Sequence, residues 1–119
     1  MITVIIRYSG TDGNAKKFIK EMQSLKIVDE FARLNDDILF GEVWSRTSYL
    51  DIKKRCILTV IALTSTGITD SSLKYHVMNA KKNGVNSNEL CESLTHIAMY
   101  VGWPKVWATL RYVKEIYFE

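Results

Sequence analysis

The sequence predicts an all-α protein, a bundle of about six helices preceded by a short β-strand arm. Three observations carry this. Apolar residues recur three and four apart over most of the chain, the period of an α-helix with one buried face. Helix-starting and helix-stopping residues punctuate that pattern at short intervals. Only one segment, Ile2-Thr3-Val4-Ile5-Ile6-Arg7-Tyr8, is β-branched and aromatic throughout, as an extended strand requires.

Gly10-Thr11-Asp12-Gly13-Asn14 ends that strand, and Asn14 is placed as the N-cap of a short helix, Ala15 to Met22. A lone strand leaves its ladder groups unpaired, so residues 2 to 8 are expected to pair with another copy of the chain. From Lys26 to Trp44 the positions Val28, Phe31, Leu34, Ile38 and Glu42 share one helical face. This puts Glu42 on the buried stripe, with Asp29, Asp36 and Asp37 opposite it. Asp51 precedes a helix from Ile52 to Thr66 that Gly67 closes. Its run Cys56-Ile57-Leu58, then Val60 to Leu63, leaves almost no polar face and marks it as central.

The next helix starts near Thr69-Asp70 and stops at Asn83-Gly84, with Leu73, His76, Val77 and Ala80 on one side. Asn86 and Glu89 form a capping-box pattern for the following helix. That helix has a core stripe of Leu90, Leu94, Ile97, Ala98 and Val101, and a polar stripe through Glu89, Glu92 or Ser93, His96 and Tyr100. Gly102 ends it. Pro104 opens the last helix, whose apolar residues are Val106, Trp107, Leu110, Val113 and Phe118. The reading is one compact domain, an arm over 1–25 and a helical body over 26–119.

Composition narrows the function. A hydrophobic fraction of 47% and a charged fraction of 24% fit a globular chain rather than a disordered one. Charged residues or Thr break every apolar run, so no membrane span is expected. The N-terminus lacks the pattern of a signal peptide, which points to the cytoplasm. The net charge of +3 comes from Lys16-Lys17, Lys53-Lys54-Arg55 and Lys81-Lys82. Without interleaved aromatics these are solvated faces, and no nucleic-acid partner is expected. Cys56 and Cys91 stand far apart and form neither a CxxC pair nor a zinc set; buried free thiols are the simple reading.

Gly41-Glu42-Val43-Trp44-Ser45-Arg46, Arg55-Cys56-Ile57-Leu58-Thr59, Leu73-Lys74-Tyr75-His76, Asn83-Gly84-Val85, Glu89-Leu90-Cys91-Glu92 and Tyr100-Val101-Gly102-Trp103-Pro104 follow in order. Together, over roughly two thirds of the chain, they resemble the carboxymuconolactone decarboxylase family. The resemblance implies an AhpD-like helical fold assembled as trimers or hexamers. It also implies one of two chemistries. The thiol peroxidase branch uses a CxxC followed by a histidine; counting back from His76, Thr69 and Ser72 occupy the two thiol positions, and the relay carboxylate of that branch is missing near Cys56-Ile57. The decarboxylase branch implies a cofactor-free lyase acting on a small carboxylated lactone or related organic anion, with no metal.

For that chemistry His76, Glu42 and Arg46 are the catalytic candidates, and Arg55, Trp44, His96, Tyr100 and Trp103 the substrate-binding candidates. An arginine fork grips a carboxylate in two places, a histidine moves the proton, and aromatics exclude water. Each has a plainer alternative. His76 fits a hydrogen-bonded core histidine, Glu42 and Arg46 an ion pair at a helix end, Glu92 and His96 a surface or interface pair, and the aromatics core or trimer contacts. A third reading is a non-catalytic binding protein that keeps the fold. The arm, through Tyr8-Ser9-Gly10, Gly13 to Phe18 and Glu21-Met22, is weakly similar to the opening strand and helix of small antibiotic-biosynthesis-monooxygenase-like proteins, which supports the strand and no chemistry.

Overall fold

The computed structural model describes residues 29–119, all of whose regular structure is helical. The expected strand at 2–8, its pairing between subunits and the helix at 15–22 lie outside the described residues. Two compact units divide the chain at Asp51 and Ile52.

In the first unit α1, Asp29–Arg33, runs into a π-helical segment, Leu34–Val43. Arg33 grips the Glu30 carboxylate on the exposed side of α1 with two of its nitrogens. The wider winding continues to its end, where the Trp44 N–H donates to the Leu39 carbonyl five residues back at 2.9 Å. Gly41 belongs to this winding: a Cβ there would press on the Asp36 carbonyl at 3.2 Å.

The structure corrects the expected stripe, first at Phe31 within α1 and then along the π-helical segment. Phe31 and Leu34 are 67% and 44% exposed and Glu42 is exposed, whereas Ala32, Asp36, Phe40 and Trp44 are buried. A turn that closes on the fifth residue rotates later side chains away from the positions a 3.6-residue period assigns. The buried face therefore recurs every fourth residue, and Asp36, expected on the polar side, is fully enclosed. The Phe40 and Trp44 rings stack along that face, their centroids 5.7 Å apart.

The second unit contains α2 (Ile52–Ser65), α3 (Ser71–Lys82), α4 (Ser87–Val101) and α5 (Trp103–Phe118). As expected, α2 is central and packs against each of the other three helices. It buries Cys56, Val60 and Thr64, four residues apart. Against these lie Leu73, Val77 and Ala80 of α3, Leu90, Leu94 and Ala98 of α4, and Val106, Thr109 and Val113 of α5. Full burial of each such aliphatic side chain contributes roughly 1.5–3 kcal/mol before chain entropy is set against it.

The helix ends form as their sequences dictate. The Asp70 carboxylate accepts from the Ser72 N–H at 2.9 Å, capping α3. At α4 the Asn86 side-chain oxygen accepts from the Glu89 N–H at 2.8 Å, while the Asn86 amide donates back to the Glu89 carboxylate at 2.7 Å. Gly102, at φ +97°, is the single residue between α4 and α5, and that positive φ is one a side chain rarely adopts. The last helix buries Thr109 and leaves Trp107, Leu110 and Phe118 outward, at 61%, 36% and 68% exposure.

Candidate functional site

His76 lies on α3, between the buried Tyr75 and Val77 and one turn after Leu73. The ring is half-buried, and its Nδ1 is enclosed without a hydrogen-bond partner among the described residues. Burial lowers its pKa, because the imidazolium form loses more hydration than the neutral ring. Asn79, three residues on, ties α3 to α2: its amide lies 3.6 Å from the Cys56 sulfur and its side-chain oxygen accepts from Asn83 at 2.9 Å. Arg55, half-buried on α2, directly precedes Cys56 and belongs to the same unit as His76.

The two positions that would carry a thiol pair hold hydroxyl residues whose backbones serve structure. Ser72 supplies the capped N–H of α3, and the Thr69 carbonyl accepts the Tyr112 hydroxyl at 2.8 Å. The two cysteines are free thiols. Burial pushes Cys56 up to about 11 and also raises Cys91, so neither is poised as a thiolate near neutral pH. Cys56 is fully buried as expected, whereas Cys91 is only half so.

The remaining candidates fall into separate settings. In the first unit Glu42 and Arg46 are exposed, and the Arg46 guanidinium lies 4.7 Å from the centre of the Tyr49 ring. Trp44 is enclosed against Phe40. In the second unit His96 and Tyr100, one turn apart on α4, bring their rings to 5.3 Å. Trp103, at the start of α5, is half exposed.

Two open grooves mark the surface of the second unit. One, of about 550 Å³, lies between α2 and α4, floored by Ile57, Leu58, Ile61 and Ile97 and edged by Glu89, Glu92, Ser93 and His96. The other, of about 590 Å³, lies between α3 and α5 and is lined by Lys74, Met78, Lys81, Lys82, Glu115 and Ile116. Its lysines are largely engaged: Lys74 pairs with Glu115 at 2.8 Å, and Lys81 donates to the Ile116 carbonyl at 2.8 Å. His76 and Arg55 line neither groove.

Sequence reasoning missed Asp36 and the apolar floor of the α2–α4 groove. A signal for the floor was present, since α2 carries more apolar residues than one buried seam uses. Among the described residues no three His, Cys, Asp or Glu side chains are grouped as a metal site, and no helix is long and apolar enough to cross a membrane.

Comparison with known proteins agrees with this architecture. The chain is similar, at 29% identity over 84 residues, to an uncharacterised 15.0 kDa protein of the nqo9-nqo10 intergenic region of Paracoccus denitrificans. The match takes in 70% of this chain and 62% of that protein's length. Residues 29–115, spanning α1 through nearly all of α5, match the sequence pattern of carboxymuconolactone decarboxylases. The chain belongs to the carboxymuconolactone decarboxylase family.

Proposed function

We propose that the protein is a cofactor-free carboxy-lyase acting on a small carboxylated lactone or a related organic anion. The observation that carries the reading is His76, a half-buried imidazole whose enclosed Nδ1 has no partner. A core histidine kept for packing normally satisfies both ring nitrogens, so an orphaned one on a family-matched helix favours a chemical role. In the reaction the bond between the ring carbon and the carboxylate breaks. Carbon dioxide leaves, and the electron pair spreads toward the lactone carbonyl as an enolate. A proton then closes the carbon. His76 would relay that proton from water: burial favours its neutral ring, which takes a proton up from solvent and passes it to the carbon. Arg55, in the same unit, is the cation for the substrate carboxylate or the enolate. Arg46 and Glu42 are the corresponding candidates of the first unit.

The aromatic side chains favour self-association as a trimer or hexamer. Tyr100, Trp103 and Trp107 are 75%, 52% and 61% exposed, more aromatic surface than a monomer usually leaves in water. Covered by a neighbouring subunit, Tyr100 and Trp103 would shield a reaction from solvent.

The test is carbon dioxide release from a panel of carboxylated lactones and related acids. His76→Ala should abolish turnover while circular dichroism and oligomer mass stay unchanged; undiminished release in that variant would sink the assignment. A peroxidase reading needs a reactive thiolate, which the raised thiol pKa values disfavour. Peroxide reduction that disappears when Cys56 and Cys91 are replaced together would reverse the ranking.

A further inference from the structure

The α2–α4 groove, which His76 and Arg55 do not line, carries a feature that the fold does not use. Its floor is apolar, with Leu58 left 54% exposed on the central helix. Its edge is acidic although the whole chain carries a net charge of +3. Most of that edge has a structural explanation. Glu89 completes the capping box with Asn86 and pairs with Lys53 at 3.2 Å. The Ser93 hydroxyl donates to the Glu89 carbonyl at 2.8 Å.

Glu92 is different. It sits three residues beyond Glu89, past the capping interactions, and among the described residues it has neither an ion-pair nor a hydrogen-bond partner. The basic residue on the rim is His96, whose ring packs on Tyr100. An uncommitted carboxylate above four aliphatic side chains, beside an aromatic pair, is complementary to an ammonium group with an apolar body. The groove volume of about 550 Å³ suits such a molecule. The same carboxylates would repel an organic acid, which separates this groove from the anion site proposed above.

We infer that the α2–α4 groove is a second binding site, for a small amphiphilic cation, with Glu92 as counter-charge and Ile57, Leu58, Ile61 and Ile97 as the seat for the apolar body.

The probe is phenethylammonium, titrated into the full chain while the methyl resonances of Ile57, Ile61 and Ile97 are followed by NMR. Phenylpropionate, of similar shape and opposite charge, is the control. Saturable shifts of those three methyls with the cation, and binding of the anion at least about fivefold weaker, are expected. Glu92→Gln should weaken cation binding by about the same factor, because one exposed charge pair is removed. Leu58→Lys, which places an ammonium over the exposed edge of the floor, should abolish it with the fold intact by circular dichroism. Equal binding of both probes, an unchanged affinity in Glu92→Gln, or shifts confined to other residues would overturn the inference. So would the lack of saturable binding at millimolar probe. None of these outcomes bears on carbon dioxide release, so the two readings fail separately.

Discussion

The two units enclose their fully buried polar residues on opposite terms. In the second, the Thr64 hydroxyl donates to the Val60 carbonyl at 2.8 Å and meets the Thr109 hydroxyl at 2.6 Å, and Asn79 is bonded to Asn83. Thr64, Thr109 and Asn79 are all buried and engaged. In the first, Asp36 is equally buried, yet among the described residues its Oδ2 has no partner and its Oδ1 receives only a long 3.4 Å contact from Asn35. A paired buried hydroxyl is close to neutral for stability, whereas an under-satisfied carboxyl carries a desolvation cost. The bundle of α2 to α5 is thus packed for stability. The π-helical segment holds a cost that its own packing does not relieve, a pattern common where a helix is wound for a purpose other than stability.

The largest expected effect measures the bundle side of this contrast. Leu94 is fully buried on α4, so Leu94→Ala should cost about 2–5 kcal/mol of unfolding free energy in urea. Leu34, on the face of the first unit that a regular α-helix would have buried, is 44% exposed, and Leu34→Ala should stay within about 0.5 kcal/mol. Equal losses at the two positions would mean that the first unit buries the α-helical stripe after all.

A smaller effect tests how the hydroxyl pair is wired. Since Thr64 spends its hydrogen on the Val60 carbonyl, the hydrogen between the two hydroxyls comes from Thr109. Thr64→Val then strands a buried donor on α5 and should cost about 1–3 kcal/mol. Thr109→Val leaves Thr64 still bonded and should cost less. The double variant should fall short of the sum, because the stranded donor is gone. Additive losses in a double-mutant cycle would show that the hydroxyls do not interact.

These positions also show why some of the molecule is legible in the sequence and some is not. The helices of the second unit follow from local rules: Asp70 and Asn86 cap, Gly84 and Gly102 stop, and Leu73, Leu90 and Leu94 fall on regular seams. The first unit escapes such rules because nothing in Leu34-Asn35-Asp36-Asp37 announces an i→i+5 winding, and a change of pitch reassigns every later side chain. Glu42 leaves the buried face for that reason and Asp36 enters it. Of the site, His76 could be found by spacing and resemblance. The orphaned Nδ1 and the exposed floor around Leu58 depend on what neighbouring helices leave uncovered, which no periodicity encodes.

Asp36 gives a prediction with a defined sign. Desolvation raises its pKa in the fold, so the native chain takes up that proton more readily than the unfolded one. Any such group supports the fold fully below the ordinary aspartate pKa of about 3.9 and loses that support as pH rises through the raised native value. Above that native value the charge is present and its full cost is in force. Asp36→Asn, which keeps the shape without the charge, should therefore raise the urea midpoint at pH 7, with a gain that shrinks as pH falls toward 4. A loss at pH 7 would mean that the carboxylate is stabilised by its surroundings.

The smallest effect belongs to His76 and sharpens the contrast from the other side, since it is the enclosed polar atom of the second unit that lacks a partner. Burial lowers its pKa, so the unfolded chain binds a proton more readily than the folded one. Stability tied to this ring is complete above the unfolded histidine value of about 6.5 and declines as pH falls from there to the native value, below which it levels off. His76→Gln has no such titration. The urea midpoints of the two proteins should keep a constant separation above pH 7 and change their separation between pH 6.5 and the native pKa, with the wild type losing ground in acid. Taking the difference cancels the groups common to both. Parallel curves throughout would mean that the ring titrates alike folded and unfolded. His76 would then be a solvated surface group rather than a desolvated acid–base centre, and the chemistry proposed for α3 would lose its physical basis.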